Sequence, residues 1–518
     1  MLLKTLARSK LYSCGRTLTN VKPLDYVKCI RLRNFSTSLS RSEKLYTEHL
    51  ESLHRDGVRF GQPTQFSHPH ILKTDELAIG LLPSEFADRR NRLMQKIKEH
   101  CVKYGKPSRN IVIIPAAMKK YMTGKIPYFF RQNSDFFYLT GCLEPESILV
   151  LWMEDEGQSK SALFMRPKNK HEELWDGPRT GVDHSVTFFG VDEAHPLADV
   201  AKFVEKYVSK SKSVNVWYEN NDEIQPKLYS NLRPILSTTT LFQSPLEFLH
   251  ELRLIKSPAE ANLMRKTCEI ASKAVNLTMQ QSKAGDSEHH IHARVDYHCR
   301  MNDAQFLAYP PVVAAGNNAN VIHYINNTQV AKDGELVLMD AGCEYGGYSS
   351  DITRTWPVSG KFTPAQEVLY EVVHEVQKEL LNVVSTVENV TLDQLFDLMC
   401  FRLGKYLQEI CVINKSLNEL DSARRAGYKF CPHHVSHYLG MDIHDTPLIQ
   451  RSRVLTPGMV FTVEPGLYIP ANSSEVPQEF RGIGIRIEDD VLYTKDGAEV
   501  LTKNCIKEVS ELKKLISN

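Results

Sequence analysis

The chain has 518 residues, of which 42% are hydrophobic and 24% are charged. This length predicts two domains, or one large and one small domain, and the composition excludes a disordered or collagen-like protein. The 63 Lys and Arg residues nearly balance the 62 Asp and Glu residues. No long basic run follows the N-terminus, so we expect no nucleic-acid partner. Because no apolar run approaches the roughly 20 residues of a transmembrane helix, we also expect no membrane partner.

The N-terminal segment has the composition of an import signal. Residues 1–35 contain eight basic residues and one acid, Asp25, with Leu, Ser and Thr between them. This pattern is typical of a mitochondrial transit peptide, and the continuous apolar core of a secretory signal is missing. We therefore predict that residues 1–35 direct the protein to the mitochondrial matrix, and we leave a cytosolic pool open. A disordered basic tail is the alternative interpretation.

The next part of the chain alternates strand-like and helical runs. Apolar runs predict strands at residues 110–115, 147–153, 161–165 and 213–218, and helical periodicity predicts a helix over residues 85–104. We expect a smaller α/β domain over residues 61–243. The run Ser257-Pro258-Ala259-Glu260 is typical of a capped helix start, which predicts a helix to about Ser282. A second domain is expected over residues 244–518.

The strongest chemical signal is a pair of acids in the second domain. Residues 335–340 form a strand-like apolar run that ends in Asp340, and a glycine-rich turn leads to a second predicted strand at residues 348–358. Side chains alternate along a strand, so Asp351 shares a face with Thr353 and Thr355. We expect Asp340 and Asp351 to lie side by side across a hairpin. Two adjacent carboxylates repel each other unless a cation lies between them, which predicts a divalent metal ion.

Two further segments end in acids in the same way. The predicted strand at residues 459–464 ends in Glu464, which Pro465-Gly466 follows, and in residues 481–488 the isoleucines take one face while Glu488 takes the other. Four histidines lie within residues 433–444, and histidine is suited to metal binding and proton transfer near neutral pH. His433 and His437 have HxxxH spacing, but position 434 is not Glu, so the zincin motif is absent.

Four carboxylates and one histidine make an oxygen-rich set of ligands. Such a set suits Mn²⁺ or another hard divalent ion better than structural zinc. The four acids carry a formal charge of −4, which two divalent ions would neutralise. The residues therefore predict a site for two divalent ions, with Mn²⁺ as the expected ion and a bridging hydroxide between them.

Taken in order, these segments resemble the pita-bread metallopeptidases. The matching motifs are LMDAGCEYGGYSSDITRT (338–355), HHVSHYLGMDIHD (433–445), TVEPGLY (462–468) and RGIGIRIEDD (481–490). Two N-terminal motifs, RQNSDFFYLTG (131–141) and ELWDGPR (173–179), resemble the Xaa-Pro aminopeptidase (aminopeptidase P) branch of that family. The resemblance implies an α/β N-terminal domain followed by an α+β pita-bread (creatinase/aminopeptidase-like) catalytic domain.

The resemblance also implies roles for individual residues. The implied metal ligands are Asp340, Asp351, His437, Glu464 and Glu488, and Asp351 and Glu488 would bridge the two ions. The implied catalytic and recognition groups are His323 and His444 at the oxyanion, Glu464 as proton carrier, Asp340 at the substrate's N-terminal amine, and His433 with Arg486 in the wall of the proline pocket.

By the same resemblance, the protein is a metal-dependent aminopeptidase that releases the first residue from Xaa-Pro-Yaa peptides, and it is expected to be a homodimer. Trp175 matches a tryptophan that, in bacterial relatives, enters the site of a neighbouring subunit. Asp176 and Pro178 differ from those relatives, so it stays open whether Trp175 contacts a neighbouring subunit. One alternative is prolidase, which cuts only Xaa-Pro dipeptides; the N-terminal motifs favour the aminopeptidase. Another is a non-catalytic pita-bread interaction protein; the intact ligand set argues against it.

Overall fold

The computed structural model describes residues 41–153, 157–211, 213–220, 224–236, 241–413, 417 and 419–517. The predicted transit peptide at residues 1–35 lies outside the described residues. Within this described part of the chain, no helix is both long and apolar enough to cross a membrane.

The N-terminal part alternates helices and strands. Its helices are α1 (Arg41–Arg55), α2 (Pro83–Lys103), α3 (Ser134–Thr140), α4 (Lys170–Asp176), α5 (Gly181–Phe189), α6 (Val200–Val208) and α7 (Pro226–Leu236). Its strands are β1 (Asn110–Pro115), β2 (Tyr121–Thr123), β3 (Ile126–Pro127), β4 (Ile148–Met153), β5 (Lys160–Met165), β6 (Glu193–Pro196), β7 (Asn215–Tyr218) and β8 (Leu241–Gln243). The predicted strands and the helix at residues 85–104 are thus confirmed within two residues.

Six of these strands form one mixed sheet in the order β6-β5-β4-β1-β7-β8. The central strand β1 pairs antiparallel with β4 and parallel with β7. Residues of α2 pack on one face of the sheet, and residues of α6 and α7 pack on the other. Every residue of β1 and β4 is therefore buried, which explains why both read as continuous apolar runs instead of alternating patterns.

The C-terminal part holds the remaining elements. Its helices are α8 (Leu246–Leu254), α9 (Pro258–Gln281), α10 (Glu288–Arg300), α11 (Pro364–Thr386), α12 (Leu392–Glu409), α13 (Leu420–Phe430) and α14 (Val509–Ser517). Its strands are β9 (Phe306–Leu307), β10 (Val312–Ala315), β11 (Leu336–Asp340), β12 (Cys343–Tyr345), β13 (Tyr348–Ser349), β14 (Thr353–Pro357), β15 (Val460–Val463), β16 (Gly466–Ile469), β17 (Ile483–Arg486), β18 (Asp489–Thr494) and β19 (Gly497–Val500). Helix α9 begins with the predicted capping box of Ser257 and Glu260.

The C-terminal strands form four small antiparallel sheets beneath helices α9 to α12. The sheet orders are β10-β11-β14, β13-β12-β9, β15-β18-β19 and β16-β17. Apolar residues of the strands and of these helices share one large core, so the helices cover the outer side of the sheets. The opposite side carries the polar residues described below.

Two of the segments predicted as continuous strands are interrupted in the structure, so that part of the prediction is wrong. The predicted strand at residues 348–358 is two strands, β13 and β14, which lie in different sheets, and residues 350–352 separate them. The predicted segment at residues 481–488 likewise ends as a strand at Arg486, and β18 begins in another sheet at Asp489. The physical reason is that a chain passing from one sheet to another must interrupt its hydrogen-bond ladder.

Candidate metal centre

Each of the four predicted acidic ligands lies where the chain leaves one small sheet for another. Asp340 ends β11, Asp351 lies between β13 and β14, Glu464 lies between β15 and β16, and Glu488 lies between β17 and β18. At these points the backbone no longer pairs as a regular ladder. For example, the N–H of Asp351 donates to the buried carboxylate of Asp490 at 2.9 Å. The four crossings bring the four acids into one region of the fold.

His437 completes this group from a neighbouring loop. Its segment runs beside β15, where its carbonyl accepts from the N–H of Thr462 at 3.0 Å. The imidazole Nε2 lies 3.3 Å from Oδ2 of Asp351 and 3.5 Å from Oε1 of Glu464. Ligand atoms of Asp351, His437 and Glu488 all lie within 4.8 Å of one another. The structure thus brings these three residues into a group that can hold a metal ion, with Glu464 beside it.

Asp340 joins the cluster from its other side. The hydroxyl of Tyr309 donates to Asp340 and also to Asp351, the latter at 2.6 Å. Strand β14 pairs antiparallel with β11 and places Thr353 opposite Asp340. Asp351 itself lies just before β14, so the hairpin prediction is right about proximity and wrong about the continuous strand. We refer to Asp340, Asp351, His437, Glu464 and Glu488 together as the acidic cluster.

The electrostatics of the acidic cluster fit a pair of divalent ions. Burial, followed by repulsion from the neighbouring acids, raises the pKa of Glu488 well above its usual value. Burial is also the main reason that the pKa of Glu464 is raised to about 7. These carboxylates therefore resist ionisation together unless cations neutralise them. Hard carboxylate oxygens with one imidazole are a donor set for ions such as Mn²⁺ or Zn²⁺.

The other predicted histidines surround the cluster at different depths. The ring of His444 lies 4.5 Å from the ring of His437, and His444 is exposed. His433 Nδ1 lies 3.8 Å from Oε2 of Glu464, and its Nε2 lies 2.8 Å from the hydroxyl of Tyr468. His323 is exposed on a separate loop. Burial is the largest cause of the lowered pKa of both His433 and His444, and the proximity of His323 is a smaller cause.

Arg486 lies beneath the acids and is almost completely buried. Its guanidinium donates to Asp340 Oδ2 at 2.7 Å, to the hydroxyl of Tyr468 at 2.8 Å and to Oγ1 of Thr353 at 3.0 Å. Thr353 in turn donates to Oε2 of Glu488 at 2.6 Å. Arg486 thus fixes two sides of the acidic cluster through hydrogen bonds. Its predicted place in the wall of a proline pocket stays a prediction.

Four residues at this site were missed from the sequence. Thr353 and Tyr468 lie inside the matched motifs, and the predicted alternation already placed Thr353 on the face of Asp351 without assigning it a role. Asp490 is the last residue of the matched motif at residues 481–490, and it had no feature that distinguished it from Asp489. Tyr309 precedes Asp340 by 31 residues, lies outside every motif, and had no local signal. Trp175 lies on α4 and is 77% exposed, and its contact with a neighbouring subunit stays an open prediction.

Comparison with known proteins agrees with this geometry. The chain matches the family "Aminopeptidase P, N-terminal domain" over residues 86–217 and "Metallopeptidase family M24" over residues 262–495. Rat Xaa-Pro aminopeptidase 3 is 40% identical over 496 residues, which cover 94% of this chain and 96% of the rat protein. The chain belongs to metallopeptidase family M24, in its aminopeptidase P branch.

Other members of this branch are similar over most of the chain. The Arabidopsis thaliana protein named intermediate cleaving peptidase 55, mitochondrial, is 38% identical over 460 residues, which cover 88% of each chain. The structure of zinc-substituted Escherichia coli aminopeptidase P in complex with product superposes with a TM-score of 0.77 at 32% identity, covering 84% of this chain and 98% of that chain. The predicted fold, an α/β domain followed by a pita-bread domain, is confirmed.

Proposed function

We propose that this M24 family member is a metal-dependent aminopeptidase that removes the first residue from peptides with proline in second position. The observation that carries the proposal is the acidic cluster, in which one histidine and four carboxylates meet at the sheet crossings. The match to Xaa-Pro aminopeptidases over nearly the whole chain supports the specificity for proline. We propose two divalent ions at the cluster, with Mn²⁺ as the native ion.

We propose a separate role in the reaction for each of several residues at the site. Bound divalent ions would polarise the scissile carbonyl and lower the pKa of the attacking water. We propose that Asp340 receives the free N-terminal amine of the substrate, which fixes the scissile bond one residue from the end. Glu464 accepts the proton of the attacking water and returns it to the proline nitrogen, which leaves as a secondary amine. His323 and His444 donate to the carbonyl oxygen as it gains negative charge.

A comparison of three substrates tests this proposal against prolidase. An Xaa-Pro-Yaa tripeptide, an Xaa-Pro dipeptide and an Xaa-Ala-Yaa tripeptide are incubated with the Mn²⁺-loaded protein, and the released residues are quantified. We expect cleavage of the first substrate only. Rapid cleavage of the dipeptide alone would identify a prolidase, and no cleavage of any substrate by metal-loaded protein would favour a non-catalytic role.

We further propose that His433 positions the residue after the scissile bond. Its imidazole faces Tyr468 and Glu464 without replacing a ligand of the cluster. We expect His433→Ala to keep its metal and to lose about 10- to 100-fold in kcat/KM on Xaa-Pro-Yaa, because the scissile carbonyl is no longer aligned. The matched control is His434→Ala, since His434 stacks on Phe396 with ring centroids 4.8 Å apart. Equal kinetics in both variants would refute the assignment.

We propose that residues 1–35 act as a transit peptide that directs the protein to the mitochondrial matrix. Their composition supports this, and a plant relative is named as mitochondrial. A reporter fused to residues 1–35 should enter mitochondria, and a cytosolic reporter would contradict the proposal.

The domain limits at residues 61–243 and 244–518 stay predictions. The homodimer also stays a prediction, and sedimentation of the purified protein measures its oligomeric state.

A further inference from the structure

A buried ionic network connects the N-terminal domain to the loop that carries His444. Arg253 on α8 lies at its centre, with a side chain that is 3% exposed. The guanidinium donates to Asp135 of α3 at 2.7 Å, to Asp442 at 2.6 Å and to Asp445. One side chain thus joins the N-terminal domain to two acids that flank His444 in sequence.

The same loop is held by further contacts on both sides of His444. Lys256 Nζ lies 3.0 Å from Oδ2 of Asp445, a carboxylate that is itself buried. On the other side, Ser134 donates to Oδ1 of Asp442 at 2.6 Å, and Arg131 donates to the carbonyl of Met441 at 2.7 Å. Residues 441–445 are therefore fixed by the motif RQNSD of the N-terminal domain and by the segment around α8.

The side chain of His444 lies at the surface, next to the acidic cluster. It is exposed, and its described ring contact is with His437 of the acidic cluster. Its backbone position must therefore come from the neighbours that anchor the loop. A displacement of about 1 Å at a group that donates to a developing charge can reduce the rate by about 100-fold. The anchors of this loop are thus placed where they can affect the reaction.

We infer that Arg253, together with Asp135, is a positioning residue for His444, so that the N-terminal domain takes part in the reaction of its own chain. The inference rests on the function proposed above for His444. It assigns the motif at residues 131–135 a part in aligning the catalytic loop, in addition to its packing against the rest of the fold.

Arg89 offers a matched control. It is also almost completely buried and also joins the N-terminal domain to the catalytic domain. Its guanidinium donates to the carbonyl of Tyr138 at 3.1 Å and lies 3.5 Å from the carboxylate of Glu260 and from the hydroxyl of Tyr348. None of these contacts involves residues 441–445. Loss of Arg89 therefore disturbs a comparable buried arginine without releasing the His444 loop.

The test is a set of double-mutant cycles on the metal-loaded enzyme. Arg253→Lys keeps one charge but replaces the planar fork, whose separate nitrogens contact Asp135 and the two loop acids, by a single ammonium group. Asp135→Asn weakens only the N-terminal end of the network. Each variant and Arg89→Lys is made alone and with His444→Ala. Melting temperature, metal content, kcat and KM on an Xaa-Pro-Yaa peptide, and amide hydrogen exchange of residues 441–445 are measured.

We expect Arg253→Lys to lower kcat at least about 10-fold with little change in KM, and to add no further loss when His444 is already Ala. Asp135→Asn should show the same coupling with His444→Ala and a smaller loss of kcat. The test therefore stays possible even if Arg253→Lys does not fold. Exchange of residues 441–445 should accelerate in Arg253→Lys and not in Arg89→Lys. Any fold-loss of kcat in Arg89→Lys should multiply with the fold-loss of kcat in His444→Ala when the two changes are combined.

The inference would be overturned if the fold-losses of kcat for Arg253→Lys and His444→Ala multiply in the double variant. It would also be overturned if amide exchange of residues 441–445 is unchanged in Arg253→Lys. Wild-type kcat in His444→Ala would overturn it as well. An inactive wild-type enzyme with accelerated exchange in Arg253→Lys would instead contradict the proposed function and leave the anchoring of the loop supported.

Discussion

Replacing Glu488 by Gln should abolish peptidase activity, with a loss of roughly 10³-fold or more in kcat/KM. Glu488 has a carboxylate oxygen within 4.8 Å of ligand atoms of Asp351 and His437 and is proposed to bridge both ions, so a neutral amide weakens both sites at once. We expect metal analysis to find fewer than two ions per chain. Asp351→Asn should behave in the same way, because Asp351 is the other proposed bridge.

The stability of the same variant separates metal loss from misfolding. Burial and neighbouring acids raise the pKa of Glu488, so ionising this carboxyl group is costly in metal-free protein. The metal-free Glu488→Gln protein should therefore melt no lower than metal-free wild type. Glu260→Gln is the control, since Glu260 is buried away from the cluster and accepts from Tyr348 at 2.8 Å. It should lose stability and keep its metal. Full metal occupancy with normal activity in Glu488→Gln would refute the ligand assignment.

Replacing Glu464 by Gln should reduce kcat by about 10²- to 10⁴-fold, because the water proton loses its acceptor and the proline nitrogen loses its donor. The loss should fall on kcat more than on KM, since substrate binding keeps its other contacts. Single-turnover kinetics of the metal-loaded variant measure this. Wild-type kcat in a variant with full metal content would exclude Glu464 as the proton carrier.

The metal-free form of this variant has a second signature. Burial raises the pKa of Glu464 from 4.5 to about 7 in the folded protein, so the folded state binds this proton more tightly than the unfolded state. Its contribution to stability is therefore present below about pH 4.5 and is lost as pH rises through about 7. Glu464→Gln should remove that slope from the unfolding free energy of metal-free protein, measured by denaturant titration at several pH values.

His437 supplies an internal check on that titration. Although burial opposes its charge, the hydrogen bond to Asp351 and the charges of Glu464 and Asp351 raise the pKa of His437 from 6.5 to about 9. Its stabilising contribution is complete below about pH 6.5 and is lost as pH rises through about 9. The slope in this higher range should largely remain in Glu464→Gln, because the contact with Asp351 is unchanged.

The parts of the fold that could be predicted depend on local patterns. The capping box of Ser257 and Glu260 lies within four residues, and the buried strands β1 and β4 are continuous apolar runs. The acids at the ends of β11 and β15 could likewise be recognised, because an apolar run that stops at a carboxylate is visible in one segment. They predicted a metal site only when four such segments were considered together.

The parts that could not be predicted depend on distant pairing. Alternation along residues 348–358 gave a continuous strand, because nothing local shows that β13 pairs with β12 while β14 pairs with β11. The contact of Tyr309 with Asp340 and Asp351, and that of Arg253 with Asp135, join segments that meet only in the folded chain. For this reason the sequence indicated the proposed ligands of the cluster and Arg486, but not Tyr309 or Arg253.

The most direct test of the account is a titration of metal-free protein with Mn²⁺, in which bound metal and release of the first residue from an Xaa-Pro-Yaa peptide are measured on the same samples. We expect no release without metal and release that rises as up to two ions bind per chain. Release that persists in metal-free protein, or a peptide that stays intact when both ions are bound, would contradict the account.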